Sequence, residues 1–390
     1  MHFLYVGYYV DDSVFYEILN RKINNMSVAR QKFEYNLLAH IGNHTEGDTV
    51  DYISYVPTKE GFAIPEYSTI GDAKIYHIPI NKGKASSLYS AMKRFSQYLK
   101  NLGEDKLRGL RVIMYDVNPM FLIPLLRIRK KYDIKICMIC AELPCLKRYK
   151  KKIQYELQHA VLWHFTQKFD GYILFAEAMT EKLKSKSKPY LVVEGIAPDL
   201  FGEPAKNKKN IMMYAGGFAA DNNVRMMVDA CLSLPQIDEL WLCGGGADAA
   251  YVEEKAKQEP RIRYFGMVEN DRVRQMETQA KLLLNVRNPE AELTKYSFPS
   301  KVLEYIASGS LVLSSRLGGI PEEYFEHLIA LDEVNEACFV KVLEEIFSMD
   351  DERYVEKCKR AQAFISEHKN ADVQASRIIS FVKEQFPQQT

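Results

Sequence analysis

Short apolar runs alternate with longer amphipathic stretches along almost the whole chain, and a parallel α/β architecture accounts for that rhythm best. HFLYVGYYV opens as a strand, and SVARQKFEYNLLAHI follows as a helix with Val28, Phe33, Leu37 and Leu38 turned inward. DYISYVP and KIYHIPI are strands, SSLYSAMKRFSQYLKNL a helix, LRVIMYD a strand, PMFLIPLLRIRKKY a helix and IKICMICAELP a strand. A long helix is expected from about Leu146 to Phe169, then the strands GYILFA and PYLVVEGI. APDLFGEPAKNKK, residues 197–209, is rich in Pro, Lys and small residues and reads as a linker. A second series follows: NIMMYAGG, NNVRMMVDACLSL, ELWLCGGG, AYVEEKAKQEP, RIRYFG, VRQMETQA and KLLLNVR. A chain of 390 residues is long enough for two cores. The expected division is therefore a first Rossmann-like domain over 1–196, the linker 197–209, a second over 210–365 and a closing helical segment over 366–390.

Several classes drop out on composition. No apolar run is long enough to span a membrane, and the N-terminus lacks a signal-peptide pattern, so a cytoplasmic protein is expected. The seven cysteines are scattered and odd in number, as suits reduced thiols. Cys137 and Cys140 form a CxxC, but inside an apolar run rather than at a helix start. Residues 1–200 hold 29 Lys and Arg against 21 Asp and Glu, a charge of +8, and the remainder carries −7. The basic half suits an anionic membrane surface or a diphosphate-bearing acceptor. No nucleic-acid reading motif accompanies it, so nucleic acid is not an expected partner.

KYSFPSKVLEYIASGSLVLSS, Lys295–Ser315, carries the most chemistry. Ser297, Phe298 and Pro299 read as a helix entry, with Ser as cap and Pro in the first turn. Lys301, Glu304 and Ser308 recur at three- and four-residue spacing and share one face, with Val302, Leu303 and Ile306 opposite. Gly309 ends the helix, and LVLSS reads as an interior strand. A helix start bearing a lysine suits a phosphate, and a glutamate one turn on can accept two hydroxyls of a sugar diol. An ordinary solvated face also fits the bare pattern. YAGGF, Tyr214–Phe218, places Gly216 and Gly217 where backbone amides can approach an anion, although strand–Gly–Gly–helix is also a common turn. Gly244–Gly246, after ELWLC, fits a tight strand-to-helix turn.

The Lys295–Ser315 string resembles the donor-site segment of retaining glycosyltransferases of family four. It is closest to the bacterial enzymes that build capsular, exopolysaccharide or lipopolysaccharide chains. That resemblance implies the GT-B fold, an α/β arrangement of two Rossmann-like domains facing each other across a cleft, with the last helix packed back towards the first domain. It implies a nucleoside-diphosphate sugar as donor, UDP-linked by preference, and a glycan or lipid-linked acceptor. No other cofactor and no metal are called for; Asp11–Asp12 is a lone acidic pair. Residues matched to donor binding are Gly216, Gly217, Gly244, Met267, Val268, Tyr296, Ser297, Phe298, Ser300, Lys301 and Glu304. Gly216–Gly217 would face the diphosphate and Met267–Val268 the base. The sequence departs from the family twice. No Arg or Lys lies between Gly216 and Val224, which leaves Lys301 and then Arg287 to supply positive charge. The first of the family's paired glutamates falls on Tyr296, so Glu304 is the only matched carboxylate, with Glu290 and Glu292 upstream as substitutes.

Retention in this family implies front-face displacement, with cations and amides aimed at the leaving diphosphate. Lys301 and Arg287 are the expected catalytic cations. On the acceptor side, strands of the first half end at Gly7, Asp116 and Glu142, where ligands of open α/β sheets gather. Asp116 and Glu142 are candidates to orient the acceptor hydroxyl, and each equally suits a cap or turn. Asn25 and Arg30 flank the first helix start and are within reach of either substrate. The basic stretch from Leu146 suits peripheral membrane contact or a solvated face; His159 and His164 belong to that helix. Alternatives are a GT-B epimerase or phosphorylase, and a catalytically silent GT-B subunit that binds a partner or glycan.

Overall fold

The structure, a computed structural model, describes residues 1–388 apart from 24–26, 46, 60–61, 72, 82–84, 145–152 and 184–186. The chain forms two compact units. The first comprises Met1–Phe175, Met179–Ile196 and Ala371–Thr390, and the second Ala176–Ala178 and Ala197–Asn370. Asn25 and residues 146–152 of the basic stretch lie outside the described residues.

The first unit is built on eight strands: β1 (His2–Gly7), β2 (Thr49–Pro57), β3 (Tyr67–Ile70), β4 (Ala73–Ile80), β5 (Arg111–Tyr115), β6 (Lys135–Cys140), β7 (Gly171–Leu174) and β8 (Tyr190–Val192). They lie in the order β3-β4-β2-β1-β5-β6-β7-β8. All neighbours are parallel except β3 and β4. Burial on both faces explains the unbroken apolar runs. On one face Phe3, Tyr5, Ile113, Tyr115, Cys137 and Ile139 pack with Ile378, Ile379 and Val382 of the helix Ala371–Gln385. Cys137 and Cys140 are both buried in β6, and burial pushes the Cys137 thiol well up.

Two local expectations fail here. Val28 is exposed, at the first position of the helix Val28–Ile41 directly after the Ser27 cap. Its partners Phe33, Leu37 and Leu38 are buried. The described part of the long helix spans Ile153–Thr166 and ends before Phe169, which is buried ahead of β7.

The second unit has six parallel strands: β9 (Ile211–Gly217), β10 (Glu239–Gly245), β11 (Ile262–Gly266), β12 (Leu282–Asn285), β13 (Leu311–Ser315) and β14 (Ile329–Leu331). Their order, β11-β10-β9-β12-β13-β14, is that of a doubly wound dinucleotide-type sheet. Alternate residues of β9 feed opposite cores. Met212 and Tyr214 pack on one face with Leu240, Leu284 and Leu313, and Met213 and Ala215 pack on the other with Leu283, Val302 and Tyr305.

Candidate functional site

In an open parallel sheet, ligands gather beyond the strand C-termini where the order reverses. In the second unit that place is between β9 and β12. The loops leaving these strands are tied together: the Asn288 amide donates to the Asp221 carbonyl at 2.8 Å, and Asn223 Nδ2 to the Val286 carbonyl at 3.4 Å. Gly216 and Gly217 end β9, and Gly217 lies exposed. A Cβ on Gly244 would sit 1.8 Å from the Gly216 carbonyl, so glycine is required there for β10 to lie against β9. Gly244 therefore has a packing role whatever else it does. Beyond β11, the Met267 side chain is 86% exposed while Val268 packs on the core.

The donor-type segment differs locally from its expected form. Its helix is Lys301–Ala307, with Ser300 at the N-cap position and no side-chain cap. Ser297 is not the cap: its hydroxyl donates to the Leu293 carbonyl at 2.8 Å, which closes the preceding short helix Glu292–Lys295. Ser308 is not on the polar face either. It is buried and donates to the Tyr305 carbonyl at 2.7 Å. Phe298 is buried against Tyr324, with ring centroids 5.1 Å apart, and Tyr296 is buried. Ser300 is exposed. Tyr305 fixes the helix beneath β9: its hydroxyl accepts from the Ala215 amide at 3.2 Å and donates to the Ala215 carbonyl at 3.3 Å.

Lys301 and Glu304 do meet, with Nζ and Oε2 3.3 Å apart. A second carboxylate, Glu277, lies 3.6 Å from the same ammonium. Glu277 is wholly buried on the helix Asn270–Gln279, and among the described residues neither of its oxygens has a partner closer than Lys301 at 3.6 Å. Burial, opposed by Lys301 and aided by Glu304, pushes its carboxyl up to about 7. Sequence reasoning missed this residue. The available signal was an acid four places after Val273, on the face that buries Val273 and Met276. Arg287 follows β12, and its charge bears on the Tyr214 hydroxyl. Glu290 and Glu292 are exposed.

The first unit has its own reversal point, between β1 and β5. Arg30, on the helix Val28–Ile41, stands there with its guanidinium 3.3 Å from the Tyr8 ring centroid and 4.0 Å from that of Tyr115. It donates to Glu34 Oε1 at 2.9 Å, Asp116 Oδ2 at 3.1 Å and the Tyr115 carbonyl at 3.3 Å. Glu34 is buried and accepts from the Tyr8 and Tyr9 amides at 2.8 and 3.1 Å. Any Cβ on Gly7 would lie 2.2 Å from Glu34 Oε2, so glycine at the end of β1 is what admits that carboxylate. Asp116 has a left-handed backbone, φ +56°, which is uncommon outside glycine and recurs at functional sites. Its carboxyl is pushed up to about 6 by burial and by Glu142 and Glu34, against the pull of Arg30. Glu142, exposed beyond β6, thus acts electrostatically on Asp116. Glu34 was legible only as the i,i+4 partner of Arg30.

Residues 209–348 match the family described as Glycosyl transferases group 1. No curated protein matches the chain. Among solved structures, sucrose-phosphate synthase from Thermosynechococcus elongatus is 12% identical, with a TM-score of 0.61 over 99% of both chains. The lipopolysaccharide outer core galactosyltransferase WaaB, in its apo form, is also 12% identical, with a TM-score of 0.62 over 98% of this chain and 99% of its own. Anabaena HepE, in complex with UDP and glucose, gives 12% and 0.56 over 97% and 98%. The two parallel-sheet units are those of the GT-B glycosyltransferase fold.

Proposed function

We propose that this chain, with its GT-B fold and a group 1 glycosyl transferase match over residues 209–348, transfers a sugar from a UDP-sugar to a glycan or lipid-linked acceptor with retention. Its place is bacterial surface polysaccharide synthesis, in the cytoplasm. The observation that carries the reading is the ammonium of Lys301 held between Glu304 and Glu277, at the ligand-gathering end of the second unit's sheet. Lys301 is about a third exposed, and Glu304, one turn on, carries the two acceptor oxygens a ribose diol requires; both support the reading.

Glu304 binds the ribose, the Gly216–Gly217 backbone and Met267–Val268 line the diphosphate and base, and Ser297, Phe298, Ser300 and Tyr296 shape the same loop. Lys301 and Arg287 stabilise the charge that builds on the leaving nucleoside diphosphate. In the transfer step, the bond from the anomeric carbon to the diphosphate oxygen breaks and the diphosphate keeps the electron pair. The acceptor oxygen bonds to the same face of the sugar, and its proton passes to the departing phosphate. Asp116 and Glu142 orient the acceptor hydroxyl, with Arg30 fixing Asp116. The reaction needs no metal in this scheme. Leu157 and Val161, both exposed on the helix Ile153–Thr166, support peripheral contact of the basic first unit with an anionic membrane. Among the described residues no helix is long and apolar enough to cross one.

The burial of Tyr296, where the family has an acid, favours a second reading as a catalytically silent subunit that binds glycan or partner. A screen of UDP-, GDP- and CDP-sugars separates the two. The enzyme reading expects binding of a UDP-sugar with slow release of free sugar, and Lys301→Ala should lower kcat more than it raises KM. Tight binding without turnover supports the silent subunit, and no binding of any nucleotide sugar removes the enzyme reading.

A further inference from the structure

The Lys301 ammonium has two carboxylates for one cation. Glu304 is within reach of solvent, and an approaching ligand can use it. Glu277 has no such outlet. It is fully buried, and among the described residues its oxygens have no partner closer than Lys301 at 3.6 Å, the only cation paired with it there. A buried carboxylate in this setting is tolerable as an anion only while its counter-ion stays close.

The groups facing Glu277 come from three elements. Lys301, Glu304 and Tyr305 lie on the helix Lys301–Ala307, Cys243 on β10, and Arg274 on its own helix. Arg274 lies with its guanidinium 4.1 Å from the Phe201 ring centroid. Lys301 is therefore the charge that decides the state of Glu277, with Glu304 opposing it. A diphosphate arriving at Lys301 draws the ammonium towards itself and adds negative charge nearby. Both changes favour a proton on Glu277.

We propose that Glu277 is a proton-linked positioning residue of the donor site: it holds Lys301 in place before the donor binds and takes up a proton when a nucleoside diphosphate engages Lys301. This rests on the donor-site reading above. It adds a regulation of that site, since donor affinity then falls as the solution becomes alkaline. The carboxyl is already poised near neutrality, so the exchange falls in the working pH range.

The test is calorimetric titration of the full chain with UDP at pH 8, in buffers of different ionisation enthalpy, repeated from pH 7 to 8.5. The wild type should take up a fraction of one proton per UDP bound. Its affinity should weaken with rising pH, by at most about tenfold per unit for one coupled proton. Glu277→Gln keeps the shape but carries no titrating group. It should bind UDP with little change across this range and lose the Glu277 share of the proton uptake, while any proton exchange of UDP itself is common to both proteins. If Glu277→Gln fails to fold, the wild type alone can still overturn the inference, by binding UDP without net proton uptake. UDP binding by the wild type without proton uptake, or equal uptake by both proteins, overturns this inference and leaves the donor-site reading standing. No UDP binding by the wild type overturns that reading and this inference with it.

Discussion

At the scale of single residues, the two sheet-reversal points share a device: a cation held by carboxylates that burial makes uncomfortable. Asp116 is the clearer case for pH behaviour. Its folded value near 6 lies above that of an ordinary aspartate, so its ionisation opposes folding. Stability contributed by the protonated form is present at low pH and lost as pH rises between about 4 and 6. Asp116→Asn should therefore be neutral or stabilising at pH 8 by denaturant titration. The same variant should lose acceptor kcat/KM by on the order of a hundredfold, and the wild-type acceptor kcat/KM should fall as pH drops through about 6. A variant that keeps the wild-type rate and pH profile removes Asp116 from the acceptor role. Asp116 was visible in the sequence only as the end of a strand. Its left-handed backbone and its coupling to Glu142 and Glu34 depend on chain segments far apart in sequence, so no local pattern announces them.

At the scale of elements, legibility followed burial. The strands β1, β5, β6, β9, β12 and β13 are buried on both faces and stood out as continuous apolar runs. Several elements did not, among them the helices Glu336–Phe347 and Asp351–His368, the short antiparallel β3, the three-residue β14 and the helix Asp12–Asn20. The two strands are too short to establish a period, and that helix buries only Phe15 and Ile18. The helix expected to be capped by Ser297 begins after Ser300 with no side-chain cap, and the Ser297 hydroxyl bonds back to the Leu293 carbonyl. One long-range tie was invisible from sequence. Arg111 on β5 is fully buried and donates to the Phe386 and Pro387 carbonyls at 2.6 and 2.7 Å, just after the helix Ala371–Gln385. Arg111→Met leaves those carbonyls without their charged donor and should cost about 2–4 kcal/mol. Hydrogen exchange should show lost protection over Ala371–Gln385; unchanged protection would deny Arg111 this fastening role.

At the scale of the whole molecule, the fold was more legible than the chemistry. Two alternating α/β series about a Pro- and Lys-rich connector predicted two parallel sheets, and both are present. The Lys295–Ser315 string pointed to a glycosyltransferase, and the group 1 match covers it. What the sequence could not reveal is the second carboxylate beside Lys301, the cation expected to replace those missing from the Gly216–Val224 loop. Lys301 and Glu304 were in view, but Glu277 reaches them from a different helix. The central claim is that this cluster receives a nucleoside diphosphate and that Glu304 holds its ribose. The most direct measurement is calorimetric titration of UDP into the wild type and Glu304→Ala at neutral pH. Two charge-assisted hydrogen bonds to a diol are worth about 1.5–3 kcal/mol each, so the loss should be at least tenfold in affinity. A Glu304→Ala protein that binds UDP as tightly as the wild type would contradict the account.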